Sequence, residues 1–230
     1  MAPQTLDRFF QLLDHAPGGA VFNPWKQRDP GTDARDNGPT ARRERLAAHL
    51  TRTPARILIG EAAGYQGCHV SGIPFTSERL VMAGVIPRVS CDGRRLSSRR
   101  LPWSEPSATT VWDTLRTLGI EHDTVLWNAF PWHPHRRGEL QSNRTPTGAE
   151  RARGLVVLNA LLAAFPAAAV FAVGRHAEAA LHVTGREATT LRHPSMGGVT
   201  AFRRGLEAGI LMTAPLRWNR PVPTLNQSRA

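Results

Sequence analysis

Three short segments carry side chains of this sequence that could do chemistry. The first is Gly60-Glu-Ala-Ala-Gly-Tyr-Gln-Gly67, the second is Val125-Leu-Trp-Asn-Ala-Phe130, and the third is His193-Pro-Ser-Met-Gly-Gly198. A glycine-rich loop that follows a strand can bring its backbone N–H groups close to a ligand. The first segment lacks the Gly-Lys-Ser/Thr ending of a nucleotide-binding P-loop, so the sequence excludes that kind of phosphate site.

Each of these segments follows an apolar stretch that predicts a strand. Four such stretches alternate with helical patterns, which is typical of a parallel sheet covered on both faces. The sequence therefore predicts an α/β fold, a three-layer α/β/α sandwich with a short, mainly parallel four-stranded sheet. The predicted strands are residues 56–60, 123–130, 168–174 and 188–193, and the predicted helices are residues 6–15, 42–50, 107–118, 148–165, 175–183 and 200–208.

The ends of these strands are where a ligand should bind. In an open parallel sheet, ligands bind in the crevice outside the carboxyl ends of the strands. We therefore expect the residues that follow Gly60, Asn128, Gly174 and His193 to meet at one active site. Two of the helices also have a predicted N-cap, at Ser107 and at Thr147.

The length of 230 residues suits one domain with a sizeable core. We expect N-terminal helices and a loop over residues 1–55, a catalytic core over residues 56–210 and a tail over residues 211–230. No apolar run approaches the roughly 18 residues of a membrane-spanning helix, and the start of the sequence lacks the pattern of a secretory signal. The predicted location is the cytoplasm, with no membrane partner.

The charge of the chain favours an anionic partner. The sequence has 29 Lys and Arg against 18 Asp and Glu, a formal net charge of +11. Nucleic acid is the obvious partner, because arginines neutralise phosphates and release counterions. Acidic substrates or a nonspecific basic surface would also explain this charge. Lys26 is the only lysine and alanine is abundant, as in a GC-rich genome that encodes Arg freely.

The two cysteines, Cys68 and Cys91, do not predict a cofactor site. Two thiols cannot supply the four thiolates of an iron–sulfur cluster, and they lack the Cys-x-x-Cys spacing of a zinc or redox site. We interpret both as free thiols. The sequence thus predicts no metal cluster and no cofactor.

Taken in order, the segments resemble the uracil-DNA glycosylase superfamily over roughly residues 56–205. The first resembles its water-activating motif, in the form nearest the Gly-Glu-Ala-Pro-Gly branch, although Ala63 stands where that branch has proline. Gly-Ile-Pro-Phe75 resembles the part that supplies an aromatic floor for the base. Asn128 matches the uracil-reading asparagine, and His193-Pro-Ser matches the motif that ends the fourth strand. Because that branch usually carries an iron–sulfur cluster, the resemblance implies a cluster-free variant here.

The resemblance implies a hydrolase that flips uracil out of DNA and hydrolyses its N-glycosidic bond, giving free uracil and an abasic site. Phe75 would stack on the base, Asn128 would pair with uracil O4 and N3–H, and His193 would donate to O2 as negative charge develops there. No lysine lies in the motifs, so a Schiff-base lyase step is not expected and the enzyme should be monofunctional.

The resemblance also implies how the loops act. Ser195 would hold a DNA phosphate, Met196 would be a wedge that fills the gap left by the flipped nucleotide, and Arg203 would neutralise backbone charge. We predict a monomer whose partner is DNA containing uracil.

The first loop supplies the remaining predicted residues. Glu61 either polarises the attacking water or only braces the loop while backbone carbonyls position the water. Tyr65 either walls the pocket against the methyl group of thymine or covers the loop. Ala62 and Gln66 complete the predicted substrate-binding residues.

Four of the predicted functional residues also have a purely structural interpretation. Phe75 could be a core aromatic, Asn128 could cap a turn, and His193 could be a structural histidine before proline. Met196 could fill a loop or the core.

Two basic features lie outside the motifs. His133 and His135 form a His-x-His pair that could bind a metal, but no third ligand has suitable spacing, so we interpret them as a loop that contacts DNA phosphate. The arginines between Arg94 and Arg100 form either a solvated basic face or part of a DNA footprint.

Three other functions stay open. The small Ala62-Ala63 loop could admit a larger base, which would make the protein a broader-range glycosylase acting on hypoxanthine or xanthine. Many members of that superfamily carry Asp or Asn two residues after the first glycine, where this chain has Ala62. This departure is compatible with a non-catalytic DNA-binding module that recognises uracil or abasic sites. Covalent capture of the sugar by His193 is a third possibility, although that histidine is needed for the base.

Overall fold

A computed structural model describes residues 3–213 of the chain. The strands are β1 (Val21–Phe22), β2 (Arg56–Ala62), β3 (Thr124–Phe130), β4 (His133–Pro134), β5 (Ala169–Val173) and β6 (Thr189–Leu191). The helices are α1 (Pro3–Leu13), α2 (Pro39–Leu50), α3 (Cys68–Ser71), α4 (Glu78–Met82), α5 (Pro106–Thr117), α6 (Gly148–Ala164), α7 (Arg175–Thr184) and α8 (Val199–Thr213), with a short 3-10 turn over Glu121–Asp123. Most of the predicted tail, residues 214–230, lies outside the described residues.

The predicted α/β fold is confirmed. Strands β3, β2, β5 and β6 form one sheet in that order, and each neighbouring pair is parallel. The short strands β1 and β4 form a separate antiparallel pair. Within residues 3–213, no helix is long and apolar enough to cross a membrane.

Successive side chains of the sheet point to opposite faces and lie in two separate apolar cores. The sheet is therefore the middle layer between two layers of helices. Ile57 and Ile59 of β2 lie in one core, together with buried residues of α1, α2, α6 and α7. Leu58 lies in the other core, together with buried residues of α4, α5 and α8. Because both faces of the sheet are covered, its central strands are apolar on successive residues instead of alternating with polar ones.

The structure corrects the sequence-based expectations at several element ends. Ser107 is not an N-cap, because α5 begins one residue earlier at Pro106 and Glu105 takes the cap position. Proline is favoured at the first helical position, where its missing N–H has no helical partner. Thr147 is confirmed as the cap of α6, in a capping box with Glu150. Helix α8 runs to Thr213, so it extends into the predicted tail.

Five short elements were not predicted: strands β1 and β4, helices α3 and α4, and the 3-10 turn. Helices α3 and α4 lie in a segment that the glycines and Pro74 make look like a loop, and at four and five residues they are too short to show a helical period. Strand β4 follows Pro131 and pairs with β1 across more than 100 residues. Such a long-range pairing leaves no mark in the local pattern.

A buried carboxylate anchors the irregular segment that precedes α5. Glu78 Oε1 accepts hydrogen bonds from the backbone N–H groups of Leu96 and Ser97, both at 2.9 Å, and from Arg95 Nε at 2.8 Å. Its Oε2 accepts from Ser97 Oγ at 2.6 Å and from the N–H of Trp103 at 2.8 Å. Arg95 therefore belongs at least partly to this anchor and not to a freely solvated basic face.

Replacing Glu78 with alanine is expected to lower the free energy of unfolding by about 3–5 kcal/mol, because several buried donors lose their acceptor. Burial opposes the charge of Glu78, but the hydrogen bonds from Arg95, Ser97 and Trp103 outweigh it and lower its pKa. A lowered carboxyl pKa stabilises the fold above about pH 4–5, and this stabilisation is lost as the pH falls further. Urea unfolding of wild type and variant at pH 7 and pH 4 measures both effects. Glu207→Ala, at an exposed position of α8, is the matched control; equal loss in both variants would contradict the anchor.

Candidate active site

A pocket of about 350 Å³ opens at the carboxyl rim of the sheet. It brings together five of the residues selected from the sequence, since Glu61, Ala62, Phe75, Asn128 and His193 all line it. The other lining residues are Ala63, Gly64, Cys68, Glu105, Asn143, Arg144 and Thr145. Residues separated by more than 130 positions thus meet at one rim, as the parallel strand order requires.

The floor of the pocket depends on Gly60. This residue pairs with Asn128 across β2 and β3. A Cβ atom on Gly60 would lie 2.5 Å from Cζ of Phe75 and 2.7 Å from the side-chain amide of Asn128, so a larger residue would displace both. Phe75 itself has a φ of 51°, a conformation that costs a non-glycine residue free energy and is found mainly where the surroundings enforce it. The ring of Phe75 is thus held against the end of β2.

The amide of Asn128 is nearly buried, with 3% of its surface exposed. When it is oriented so that both its groups are bonded, its oxygen accepts from the N–H of Ala63 at 3.2 Å and its nitrogen donates to the carbonyl of Trp127 at 3.3 Å. An amide has two N–H donors and two lone pairs. These two hydrogen bonds leave one donor and one acceptor of Asn128 unused.

The hydrogen bonds of His193 define its tautomer. Its Nδ1 accepts from the backbone N–H of Ser195 at 3.1 Å and also lies 2.7 Å from Ser195 Oγ. Because a backbone N–H can only donate, Nδ1 must be unprotonated and Nε2 carries the proton. Burial and, to a smaller extent, Arg192 lower the pKa of His193. At neutral pH this side chain is a neutral imidazole with Nε2–H as its donor.

Glu61 lies between this pocket and a second one of about 640 Å³ that it shares with His193. Its Oε1 is buried and has no hydrogen-bond partner among the described residues; the nearest basic side chain is His176, whose Nε2 lies at 3.9 Å. The second pocket is also lined by Arg175 and Arg192. A buried carboxylate oxygen without a protein partner can accept a hydrogen bond from water.

The loop after His193 places an apolar side chain on the surface. The N–H of Gly198 donates to the carbonyl of Ser195 at 3.0 Å, closing a turn. At the tip of this turn Met196 has a φ of 51° and is 91% exposed, so it fills neither the loop nor the core. Arg203 is exposed on the following helix, α8.

Two predicted substrate-binding residues do not line the pocket. The ring of Tyr65 packs edge-on against Trp103, with 5.3 Å between the ring centroids, and its backbone N–H donates to Oδ1 of Asn143 at 3.1 Å. This arrangement favours the loop-covering role of Tyr65 over the role of a pocket wall. Gln66 is half-buried beside it and is likewise absent from the pocket lining.

Sequence reasoning missed the wall formed by residues 143–145. This loop is fixed by Arg144, whose Nη1 and Nη2 each donate to one carboxylate oxygen of Glu150 at 2.7 Å. Its neighbour Ser142 accepts at its carbonyl from Nε2 of His133 at 2.8 Å. One feature of the sequence could have pointed to this wall. Glu150 is the third residue of a helix with a recognisable cap, so its position was predictable, and Arg144 pairs with it.

His133 of the His-x-His pair is too deeply buried to contact a DNA phosphate. His133 is fully buried, and its Nδ1 lies 2.9 Å from Nδ1 of His69, whose Nε2 lies 3.1 Å from Asp29. His135 is 9% exposed and its Nδ1 bonds to the carbonyl of Arg136. The prediction of a phosphate contact is wrong for His133, because the pairing of β4 with β1 buries this segment.

Neither cysteine fits an iron–sulfur cluster. Cys68 and Cys91 are free and buried, and burial raises the pKa of the Cys68 thiol. Over residues 3–213, no group of three or more His, Cys, Asp or Glu side chains is placed to hold a metal ion. The two thiols of the sequence cannot supply the four thiolates that such a cluster needs.

Comparison with known proteins places this protein in the class of DNA glycosylases. A family model described as the uracil DNA glycosylase superfamily matches residues 48–208. The chain therefore belongs to the uracil DNA glycosylase superfamily.

A solved structure agrees with this fold. The crystal structure of wild-type SMUG2 from Pedobacter heparinus matches with a TM-score of 0.61 and 14% sequence identity, covering 93% of this chain and 100% of that chain. At this identity the likeness is one of fold. No curated protein sequence matches the chain.

Proposed function

We propose that this protein is a monofunctional uracil-DNA glycosylase, which flips uracil out of DNA and hydrolyses its N-glycosidic bond to give free uracil and an abasic site. The observation that carries the proposal is the meeting of three groups in one pocket: the ring of Phe75, the amide of Asn128 and the neutral imidazole of His193. A flat apolar floor and a small number of polar groups suit a single nucleobase.

Asn128 would read the base. Its free donor would pair with uracil O4 and its free acceptor with N3–H. Cytosine presents the opposite pattern at these two positions, so the same amide would be left with unpaired buried groups. Phe75 would stack on the ring, an interaction worth about 1–3 kcal/mol per base.

His193 would stabilise the leaving group. When the bond between C1′ and N1 breaks, its electron pair passes to the base and part of the negative charge reaches O2. The Nε2–H of His193 would donate to O2, and this donor is fixed in advance because Nδ1 is held by Ser195. Preorganised donors of this kind act most strongly where charge develops in the transition state.

Glu61 would orient and polarise the attacking water. The water oxygen would bond to C1′ and its proton would pass to the carboxylate, while the uracil anion later takes a proton from solvent. The buried Oε1 without a partner supports this role over simple bracing of the loop. Nε2 of His176 lies 3.9 Å from the same oxygen, too far for a hydrogen bond, so it leaves this oxygen open to the water.

Glu61→Gln is expected to slow uracil release about 10²-fold, the lower end of the effect of a positioned acid or base, because the amide cannot accept the proton. Single-turnover kinetics on a uracil-containing oligonucleotide measures the rate, and a binding titration on the same DNA should change little. Glu187→Gln, at an exposed position, is the control. A rate within about threefold of wild type would assign Glu61 to the bracing role, since backbone carbonyls would then position the water.

The loop residues would hold the DNA. Met196 would enter the stack in place of the flipped nucleotide, since an exposed apolar side chain at the tip of a turn can serve as a wedge. Ser195 and Arg203 would contact phosphates, and the net charge of +11 supports a polyanionic partner. The single domain with its three parts, the monomeric state and the cytoplasmic location belong to this proposal as predictions.

A second candidate is a glycosylase of broader range. Ala62, Ala63 and Gly64 line the pocket, and these small residues could admit hypoxanthine or xanthine. A panel of labelled oligonucleotides that differ only in one base, uracil, hypoxanthine, xanthine, thymine or cytosine, separates the candidates after alkali treatment. Uracil alone should give cleavage; comparable release of a purine would favour the broader range. Strand breaks without alkali or heat would contradict monofunctional action.

A further inference from the structure

The pocket holds a second carboxyl group that the proposed reaction does not use. Glu105, at the cap position of α5, lines the pocket together with Phe75 and Asn128. Its carboxyl has no hydrogen bond or ion pair with any residue in the described part of the chain, whereas Glu78 and Glu150 are fully bonded. A group left unbonded in a pocket is available to a ligand or to water.

The backbone opposite makes room for this carboxyl. A Cβ atom on Gly67 would overlap Oε2 of Glu105 and lie 3.1 Å from its carboxyl carbon, so only a glycine allows the side chain to lie there. The carboxyl therefore occupies a place in the wall that the loop leaves open for it.

The other charged and titratable groups of the wall do not neutralise Glu105. Arg144 is committed to Glu150 by two hydrogen bonds, His193 is neutral, and Cys68 is a buried thiol. Glu61 is itself acidic and lies beside His176. A carboxylate at position 105 would thus add an uncompensated negative charge to the pocket.

This charge matters because base release creates a uracil anion in the same pocket, on the proposed function above. Like charges that approach each other repel. We propose that Glu105 faces the base as a neutral carboxylic acid, and that loss of its proton switches base release off. Burial raises the pKa of Glu105 to about 7, so the switch operates near neutral pH.

The rate of base release should fall as the pH rises through neutrality. Below pH 7 Glu105 is protonated and adds no charge, and above pH 7 it ionises. The rate should therefore fall by about tenfold for each pH unit above neutrality if only the protonated form is active. The pKa of His193 is lowered, so this histidine titrates only at acidic pH. The fall in rate at alkaline pH is therefore assigned to Glu105.

Single-turnover rates of uracil release between pH 5.5 and 9 test the proposal, with wild type, Glu105→Gln and the exposed control Glu207→Gln. Wild type and control should lose activity above neutral pH, while Glu105→Gln, which stays neutral, should retain its rate up to pH 9. Coincident pH profiles of wild type and Glu105→Gln would overturn the proposal. Unfolding curves establish that the variants are folded.

A second measurement does not depend on activity. Carboxyl carbon NMR of protein labelled with ¹³C at glutamate side chains should show one resonance that titrates near pH 7 and is absent from Glu105→Gln. A Glu105 resonance that titrates in the ordinary range, near pH 4, would overturn the proposal even if Glu105→Gln does not fold. If wild type releases no uracil at any pH, the proposed function fails, and the NMR titration still decides the protonation state.

Discussion

Replacing His193 with alanine is expected to slow uracil release by about 10²- to 10³-fold, because a preorganised donor to the developing anion is lost. The expectation depends on the tautomer: Ser195 holds Nδ1, so Nε2–H is the group that points to a ligand. Single-turnover rates with saturating enzyme measure the chemical step. DNA binding should change much less than the rate, since this interaction forms chiefly in the transition state.

The control for this variant is a histidine outside the pocket. His182→Ala, at an exposed position of α7, should retain wild-type activity. The lowered pKa of His193, caused by burial and Arg192, gives a second signature. Activity should hold through the ordinary titration range of histidine near pH 6.5 and fall only at lower pH, where the imidazole takes up a second proton. Full activity of His193→Ala would remove this side chain from the mechanism.

Asn128→Ala should lower uracil release by about 10²-fold or more and weaken the discrimination against cytosine, because a buried donor and acceptor that match uracil are both removed. The measurement is the ratio of single-turnover rates on two oligonucleotides that differ only in uracil or cytosine. Asn159→Ala, at an exposed position of α6, controls for the loss of an amide.

A different result for Asn128 would revise its role. If the variant is inactive on both bases and also less stable to urea, the hydrogen bonds to Ala63 and Trp127 would be its main contribution, and Asn128 would be a structural cap of the strand end. An unchanged ratio with an unchanged rate would place the base elsewhere in the pocket.

The main features of the fold and the pocket could be predicted because they depend on local patterns and one topological rule. Strands β2 and β3 each contain a run of three successive apolar residues, and the cap of α6 is a threonine three residues before a glutamate. Parallel strands end at the same rim, so Asn128 and His193 were expected at one rim once the strands were recognised. That rule needs no knowledge of side-chain contacts.

Most of the features that the sequence did not reveal depend on contacts between distant parts of the chain. Nothing local distinguishes Glu105 from an exposed glutamate, because its pocket position results from the open backbone at Gly67. The local sequence predicts a surface loop at His133. Its burial follows from the pairing of β4 with β1, which the local sequence does not show. Ser107 was preferred as a cap on residue type alone, although Pro106 before it already begins the helix.

Mass spectrometry of an oligonucleotide with one uracil, incubated with the wild-type protein, tests the central claim most directly. We predict that the strand loses the mass of uracil and gains the elements of water, that free uracil appears in equal amount, and that the strand stays intact until alkali is added. An oligonucleotide of unchanged mass, in both single-stranded and double-stranded form, would contradict the account. Tight binding without base release would then identify a non-catalytic DNA-binding module of the same superfamily.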